Sequence, residues 1–310
     1  MDTHSAGEAP GEYRIEADGY QAIVDGRGAT LRSLTWRDRD LILSYRPADG
    51  PQLSQGQVLL PWPNRIDRGR YAFGGAVHRL DITEPAYDTA IHGLTRTKPW
   101  EPLKHTENRV ELGYTLEGAR GYPFRLELNV AYELAADTGL TVRIAAHNIG
   151  DSPAPYGNGS HDFLTLGEPV DDAVLRLPAS SYLPVDDRLL PAGPPRPVEG
   201  TPCDFLRPRR FGGTQLDTAF TDLVRESDGR AWAFLSDDTI CVALWADASY
   251  GWLQVFSADR PESGINRRGI AVEPMTCPPN AFASGEDLIV LAPGASSEST
   301  YGILRTDPLE

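Results

Sequence analysis

At 310 residues, 40% of them hydrophobic and 24% charged, the chain is long enough to bury a sizeable core. A net charge of -15 argues against a nucleic-acid surface, which needs clustered lysine and arginine, and against an anionic membrane as partner; it is neutral about an uncharged ligand. Three widely spaced cysteines, Cys203, Cys241 and Cys277, suit reduced thiols in a cytoplasm rather than a disulfide framework.

Residues 1–10, MDTHSAGEAP, lack both a basic start and an apolar stretch, so they read as a disordered tail and not a secretory signal. No segment reaches the roughly 20 apolar residues of a membrane-spanning helix. Strand patterns begin at Tyr20 to Val24 and Leu31 to Trp36. The stretch LLPWPNRIDRGRYAF then places Arg65 between a proline-stiffened segment and a turn at Asp67 to Gly69. A guanidinium there offers several fixed donors to hydroxyls or a carboxylate, the alternative being an ordinary surface arginine. In AIHGLTRTKPW, His92 precedes a glycine that permits an unusual backbone turn.

The clearest pattern comes next. Val110 to Leu116, Phe124 to Leu134 and Leu140 to Ala146 alternate apolar with polar residues, and the turn Ala136 to Gly139 separates the last two, which predicts an antiparallel meander. YGNGSHDFLTL brings His161 out of a glycine-rich break. Strands follow at Ala173 to Leu177, Trp232 to Leu235, Ile240 to Trp245, Trp252 to Phe256, Leu288 to Leu291 and Ser299 to Leu304, while Pro191 to Gly200 reads as a long loop. Asp217, in QLDTAFTDL, fits a turn or cap as well as a binding role. With 30 glycines and 26 prolines between many short strands and few short helices, the fold class is all-β, a large antiparallel β-sandwich. No compositional seam divides it, so residues 11–310 are expected to form one domain.

VEPMTCPPNAF carries the remaining candidate. Ile270 and Val272 share one strand face, so Glu273 projects with Ala271 on the other, and Pro274 is expected to end the strand. A carboxylate at a strand end backed by a rigid loop is well placed to line a cleft, although an outer-face glutamate is commonly just solvated. His161 or His92 would partner it as acid against base. Cys277 lacks a basic setting and reads as a packing residue. No two histidines stand three to five residues apart, so no metal site is expected.

Taken in order, Asn64-Arg65-Ile66, His92-Gly93, Gly159 to His161, the run from Leu183-Pro184-Val185-Asp186 through Gly200-Thr201-Pro202 and Asp204-Phe205 to Leu216-Asp217-Thr218-Ala219-Phe220, and Glu273-Pro274-Met275-Thr276 with Asn280-Ala281-Phe282 resemble the aldose 1-epimerases of the galactose mutarotase-like superfamily. The resemblance runs from about Gly11 to Arg305. It implies a two-sheet supersandwich with a sugar cleft on one concave face, and anomer interconversion of a small-molecule monosaccharide, a free aldohexose such as glucose or galactose, without a cofactor. Glu273 matches the family's catalytic base and His161 its acid; Arg65, His92 and Asp217 match residues that hold the sugar. Asp162 and Phe163 depart from the proline and tyrosine common after the catalytic histidine. Trp62, Phe163, Trp252 and Phe256 are candidate sugar-stacking rings. Two alternatives stay open: a hexose 6-phosphate epimerase using Arg65, Arg68 and Arg70, and a sugar-binding module without catalysis.

Overall fold

A computed structural model describes residues 11–309; the expected tail, residues 1–10, lies outside them. The predicted meander forms the strands Arg109–Leu116, Leu126–Ala135 and Gly139–Asn148, with Val110 opposite Tyr132 and Tyr132 opposite Val142. Val110, Leu112, Leu128, Val130, Val142 and Ile144 are completely buried, whereas Glu127 and Arg143 face solvent. Each such buried side chain contributes roughly 1.5–3 kcal/mol over its exposed counterpart, which is why alternation fixes the register.

The meander supplies three strands of a nine-stranded antiparallel sheet. Ser296–Thr306 joins it to Cys241–Ala246 by pairing with strands on both sides, and Ala231–Ser236 and Val174–Arg176 continue outward. An eight-stranded antiparallel sheet runs from Arg196–Pro197 through Ala179–Tyr182, Asp217–Leu223, Trp252–Phe256 and Ile270–Met275 to Gly159–Ser160 and Val58–Leu59, with Phe163–Leu164 also on Ile270–Met275. A four-stranded sheet, Glu12–Ala17 to Arg39–Asp40, completes the layers. All three share one hydrophobic core, and Tyr301 crosses it from the nine-stranded sheet to bring its hydroxyl 2.7 Å from that of Ser160 in the eight-stranded one. This is a large antiparallel β-sandwich; the α-helix among the described residues is the single turn Ala281–Ser284, and no helix there is long and apolar enough to cross a membrane.

One strand boundary differs from the sequence expectation. Ile270–Met275 does not stop at Pro274, which pairs with Leu253, and every residue of the strand is buried. The N–H groups of Val272 and Thr276 bond Asp162 and Asn158 on one side. Pro274 falls between them by the two-residue repeat, so its missing donor shortens that ladder by one bond without ending the strand. A strand covered on both faces has no solvated side, so Glu273, 1% exposed, sits in the protein interior.

Candidate active site

Glu273 and Gln254 lie opposite each other on adjacent central strands, and Asp217 opens the next strand, facing Phe256. Gln254 Nε2 donates to Asp217 Oδ1 at 2.7 Å. His161 arrives where the chain passes from Gly159–Ser160 to Phe163–Leu164: its N–H bonds Gln57 on one side, while the next residue's carbonyl accepts from Val272 on the other. That change of partner turns the imidazole toward the carboxylate, leaving His161 Nε2 3.2 Å from Glu273 Oε1. Phe163 packs beside the His161 ring at 5.1 Å between centroids.

A second wall comes from the segment between Asn64 and Arg96. Arg65 grips Glu84 with both arms of its fork, Nε at 2.8 Å and Nη2 at 2.9 Å, and lies 3.8 Å from Asp217. Thr89 Oγ1 donates to the same Glu84 carboxylate at 2.7 Å. His92 is clasped to Asn64: its own N–H donates to the Asn64 carbonyl at 3.0 Å, and the Asn64 N–H donates to His92 Nδ1 at 3.2 Å. With Nδ1 accepting, a neutral His92 carries its proton on Nε2. Both His92 and Gly93 have positive φ, 61° and 72°, and a Cβ on Gly93 would stand 1.9 Å from the Leu60 carbonyl oxygen. Glycine is therefore required at this turn by a close backbone approach as well as by conformation.

These side chains enclose a cavity of about 410 Å³, lined also by Tyr87, Arg96, Phe256 and Arg260. That volume suits a small polar ligand. Two larger grooves, of about 580 and 570 Å³, lie over the meander and beside Ser180 to Arg209, and the His161–Glu273 contact belongs to neither. At the floor of the cavity Glu273 Oε2 and Gln254 Oε1 are buried with no hydrogen-bond partner among the described residues. Unpaired buried acceptors cost about 1–3 kcal/mol each, and such groups concentrate where a ligand completes them.

Burial governs the charges. It raises the Glu273 pKa well above the ordinary carboxylate range, nearby Asp217 adds to the rise, and Arg65 opposes it. Burial lowers His161 to about 3 and, with Arg96, His161 and Arg65 adding repulsion, takes His92 well below its ordinary value. The His161–Glu273 contact is thus a neutral hydrogen bond from carboxylic acid to imidazole, holding one proton between two groups. Asp217 is also raised by burial, with Arg65 opposing. Burial works against the Arg65 charge, yet Glu84 and Asp217 outweigh it.

All five residues singled out from the sequence, Arg65, His92, His161, Asp217 and Glu273, line this one cavity. Arg68 and Arg70 do not: both are exposed, and Arg68 lies 3.7 Å from Asp88 on the surface. Of the aromatic candidates only Phe256 lines it. Trp62 packs against Phe282 at 5.5 Å, and Trp252 donates to Asp287 at 2.8 Å. Glu84, Tyr87, Arg96, Gln254 and Arg260 also line it without having been expected. Gln254 was detectable as the polar residue at the middle of the Trp252–Phe256 strand, whereas TEPAYDT gives no local sign of Glu84 or Tyr87.

Residues 11–304 match the family model described as aldose 1-epimerase. The chain is 36% identical over 293 residues to the uncharacterized protein YihR of Escherichia coli K12, covering 93% of this chain and 91% of that one. It is 29% identical over 225 residues to galactose mutarotase of Mus musculus, covering 67% and 64% respectively. Its backbone superposes on the GalM/aldose epimerase homologue from C. elegans with a TM-score of 0.85, at 20% identity, over 97% of this chain and all (100%) of that one.

Proposed function

The chain belongs to the aldose 1-epimerase family, a family of isomerases acting on monosaccharides, and on that premise we propose that it interconverts the α and β anomers of an aldohexopyranose, with Glu273 as base and His161 as acid. The observation that carries this reading is the His161–Glu273 contact of 3.2 Å at the floor of a sugar-sized cavity, with Glu273 Oε2 left without a partner.

The sugar enters with its anomeric hydroxyl at Glu273 and its ring oxygen at His161, parting the pair while the shared proton moves to the imidazole. Glu273 takes the hydroxyl proton, His161 gives its own to the ring oxygen, and the bond from C1 to the ring oxygen breaks to leave an open-chain aldehyde. Protons balance: the site ends with Glu273 protonated and His161 neutral, the same distribution that burial favours before the sugar arrives. Rotation about C1–C2 presents the other face of the carbonyl, and the reverse transfers close the opposite anomer.

The neutral His92 offers an Nε2–H to an oxygen gaining charge, and Arg65, locked by Glu84, offers a fixed guanidinium. Asp217 and Gln254 accept from sugar hydroxyls. Mutarotation already proceeds in water, so acid and base terms of roughly a hundred- to ten-thousand-fold each supply a useful acceleration.

A neutral aldohexose such as glucose or galactose is the substrate expected from the motifs. A second reading, an aldose bearing an anionic substituent, is favoured by Arg96 and Arg260, which line the cavity without a carboxylate partner of their own among the described residues. Among the described residues Arg96 bonds Ser54, Gln57 and the Ile91 carbonyl, and burial lowers its pKa. Polarimetry of freshly dissolved α-glucose, α-galactose, glucose 6-phosphate and glucuronic acid separates the readings. Acceleration with the neutral sugars supports the first. Acceleration confined to the anionic ones, weakening with salt, supports the second, and none with any of the four contradicts both.

A further inference from the structure

Behind the His161–Glu273 pair lies a buried polar cluster that the reaction just described leaves idle. Asp162 is 0% exposed, and its Oδ2 accepts the Tyr301 hydroxyl at 2.7 Å and the Ser160 hydroxyl at 2.9 Å. Its Oδ1 is buried with no hydrogen-bond partner among the described residues. Strand alternation sends Asp162 to the face opposite His161, into the core between the two large sheets, where Tyr301 meets it from Ser296–Thr306. Its backbone carbonyl accepts the Val272 N–H at 3.1 Å, one residue before Glu273.

A carboxyl in such a place is costly, and an apolar side chain of similar volume would pack there without that cost. The groups that face it are Tyr301, Ser160, Tyr132, Tyr250 and Glu273; none is a cation. Its negative charge, once formed, is therefore unneutralised and acts on Glu273 through a low-dielectric interior.

We propose that Asp162 is a positioning residue for the shared proton: its buried carboxylate, anchored by Tyr301 and Ser160 behind the floor of the site, holds that proton on the His161–Glu273 pair and so sets the alkaline edge of the working pH range. The inference rests on Glu273 being the base. The competent site holds one proton, and losing it leaves a Glu273 carboxylate beside a neutral imidazole with no acid to protonate the ring oxygen. Burial pushes the Asp162 carboxyl up to about 6, against the bonds from Tyr301 and Ser160. Asp162 is accordingly ionised throughout the alkaline range in which the pair would lose its proton. A like charge nearby makes that proton harder to remove.

The test is the pH dependence of kcat/KM, read by exchange NMR between anomers, for wild type, Asp162→Asn, Asp162→Leu and Tyr301→Phe. Both Asp162 variants are expected to move the alkaline limb down by about one pH unit while KM at pH 7 stays within about twofold. Tyr301→Phe keeps the charge and is expected to leave the limb in place. A limb that stays put in both Asp162 variants, with kcat lowered equally at every pH, would overturn the inference and make the cluster purely structural, as would failure of both variants to fold. Glu273→Gln separates the two levels: full turnover in that variant removes the base assignment itself, whereas an inactive Glu273→Gln with an unmoved limb removes only the role of Asp162.

Discussion

His161 Nε2 and Glu273 Oε1 stand 3.2 Å apart, so the two groups proposed as acid and base share a single proton. Two residues acting on one proton fail together. Glu273→Gln and His161→Gln are each expected to lower kcat by roughly a hundred- to ten-thousand-fold, and the double variant by little more than the worse single one. Anomer exchange rates across the four-member set check this; losses that multiply would show that the groups act independently.

The bidentate grip of Arg65 on Glu84, at 2.8 and 2.9 Å, fixes one wall of the cavity. Arg65→Lys keeps the charge and loses the fork, so KM is expected to rise about tenfold, and stability to fall by about 1 kcal/mol as the partly buried Glu84 carboxylate loses a donor. Initial-rate kinetics and denaturant titration read the two effects separately.

Gly93 approaches the Leu60 carbonyl too closely for any Cβ and adopts a φ of 72°. Gly93→Ala strains the backbone and displaces His92, which is held by Asn64 just before it. A loss of about 1–3 kcal/mol in stability is expected together with reduced kcat, whereas Gly74→Ala, where a Cβ meets nothing within 4 Å, leaves kcat unchanged. Parallel melting curves and rates test the contrast.

His161 and His92 are both held neutral, with His161 lowered from 6.5 to about 3. The unfolded chain therefore binds protons that the folded chain refuses. This contribution to stability is present in full above about pH 6.5 and is lost as pH falls toward 3. In His161→Gln that share of the loss disappears, so the stability of the variant relative to wild type is expected to rise between pH 7 and pH 4. Urea midpoints at several pH values measure it, and a constant difference would contradict the neutral assignment.

Much of this molecule was legible in the sequence because alternation records burial directly. Val110, Leu128 and Val142 face the core where the period of two puts them, and the flanking Glu127 and Arg143 face solvent. The five ordered motifs likewise pointed to residues that the fold gathers into one cavity. The period fails where both faces are covered: the interior setting of Glu273 and the continuation through Pro274 depend on neighbouring strands that the local pattern does not report. Arg68 and Arg70 illustrate a different limit. They follow Arg65 closely in sequence, but the left-handed turn at Arg68 and Gly69 leaves them on the surface, while Arg96 and Arg260 enter the cavity from distant segments. Glu84 and Tyr87 belong to a short loop whose direction is set by Arg188, which bonds the Tyr87 carbonyl at 2.9 and 3.1 Å; a contact between residues so far apart in sequence leaves no mark in either local stretch.

The most direct test of the central claim is two-dimensional exchange NMR of the anomeric protons of equilibrated aldoses, neutral and anionic, with wild-type protein and with Glu273→Gln at equal concentration. The account predicts exchange cross-peaks between the α and β signals of at least one of these sugars with the wild type, and spectra indistinguishable from the protein-free sugar with the variant. Equal exchange with both proteins would contradict it.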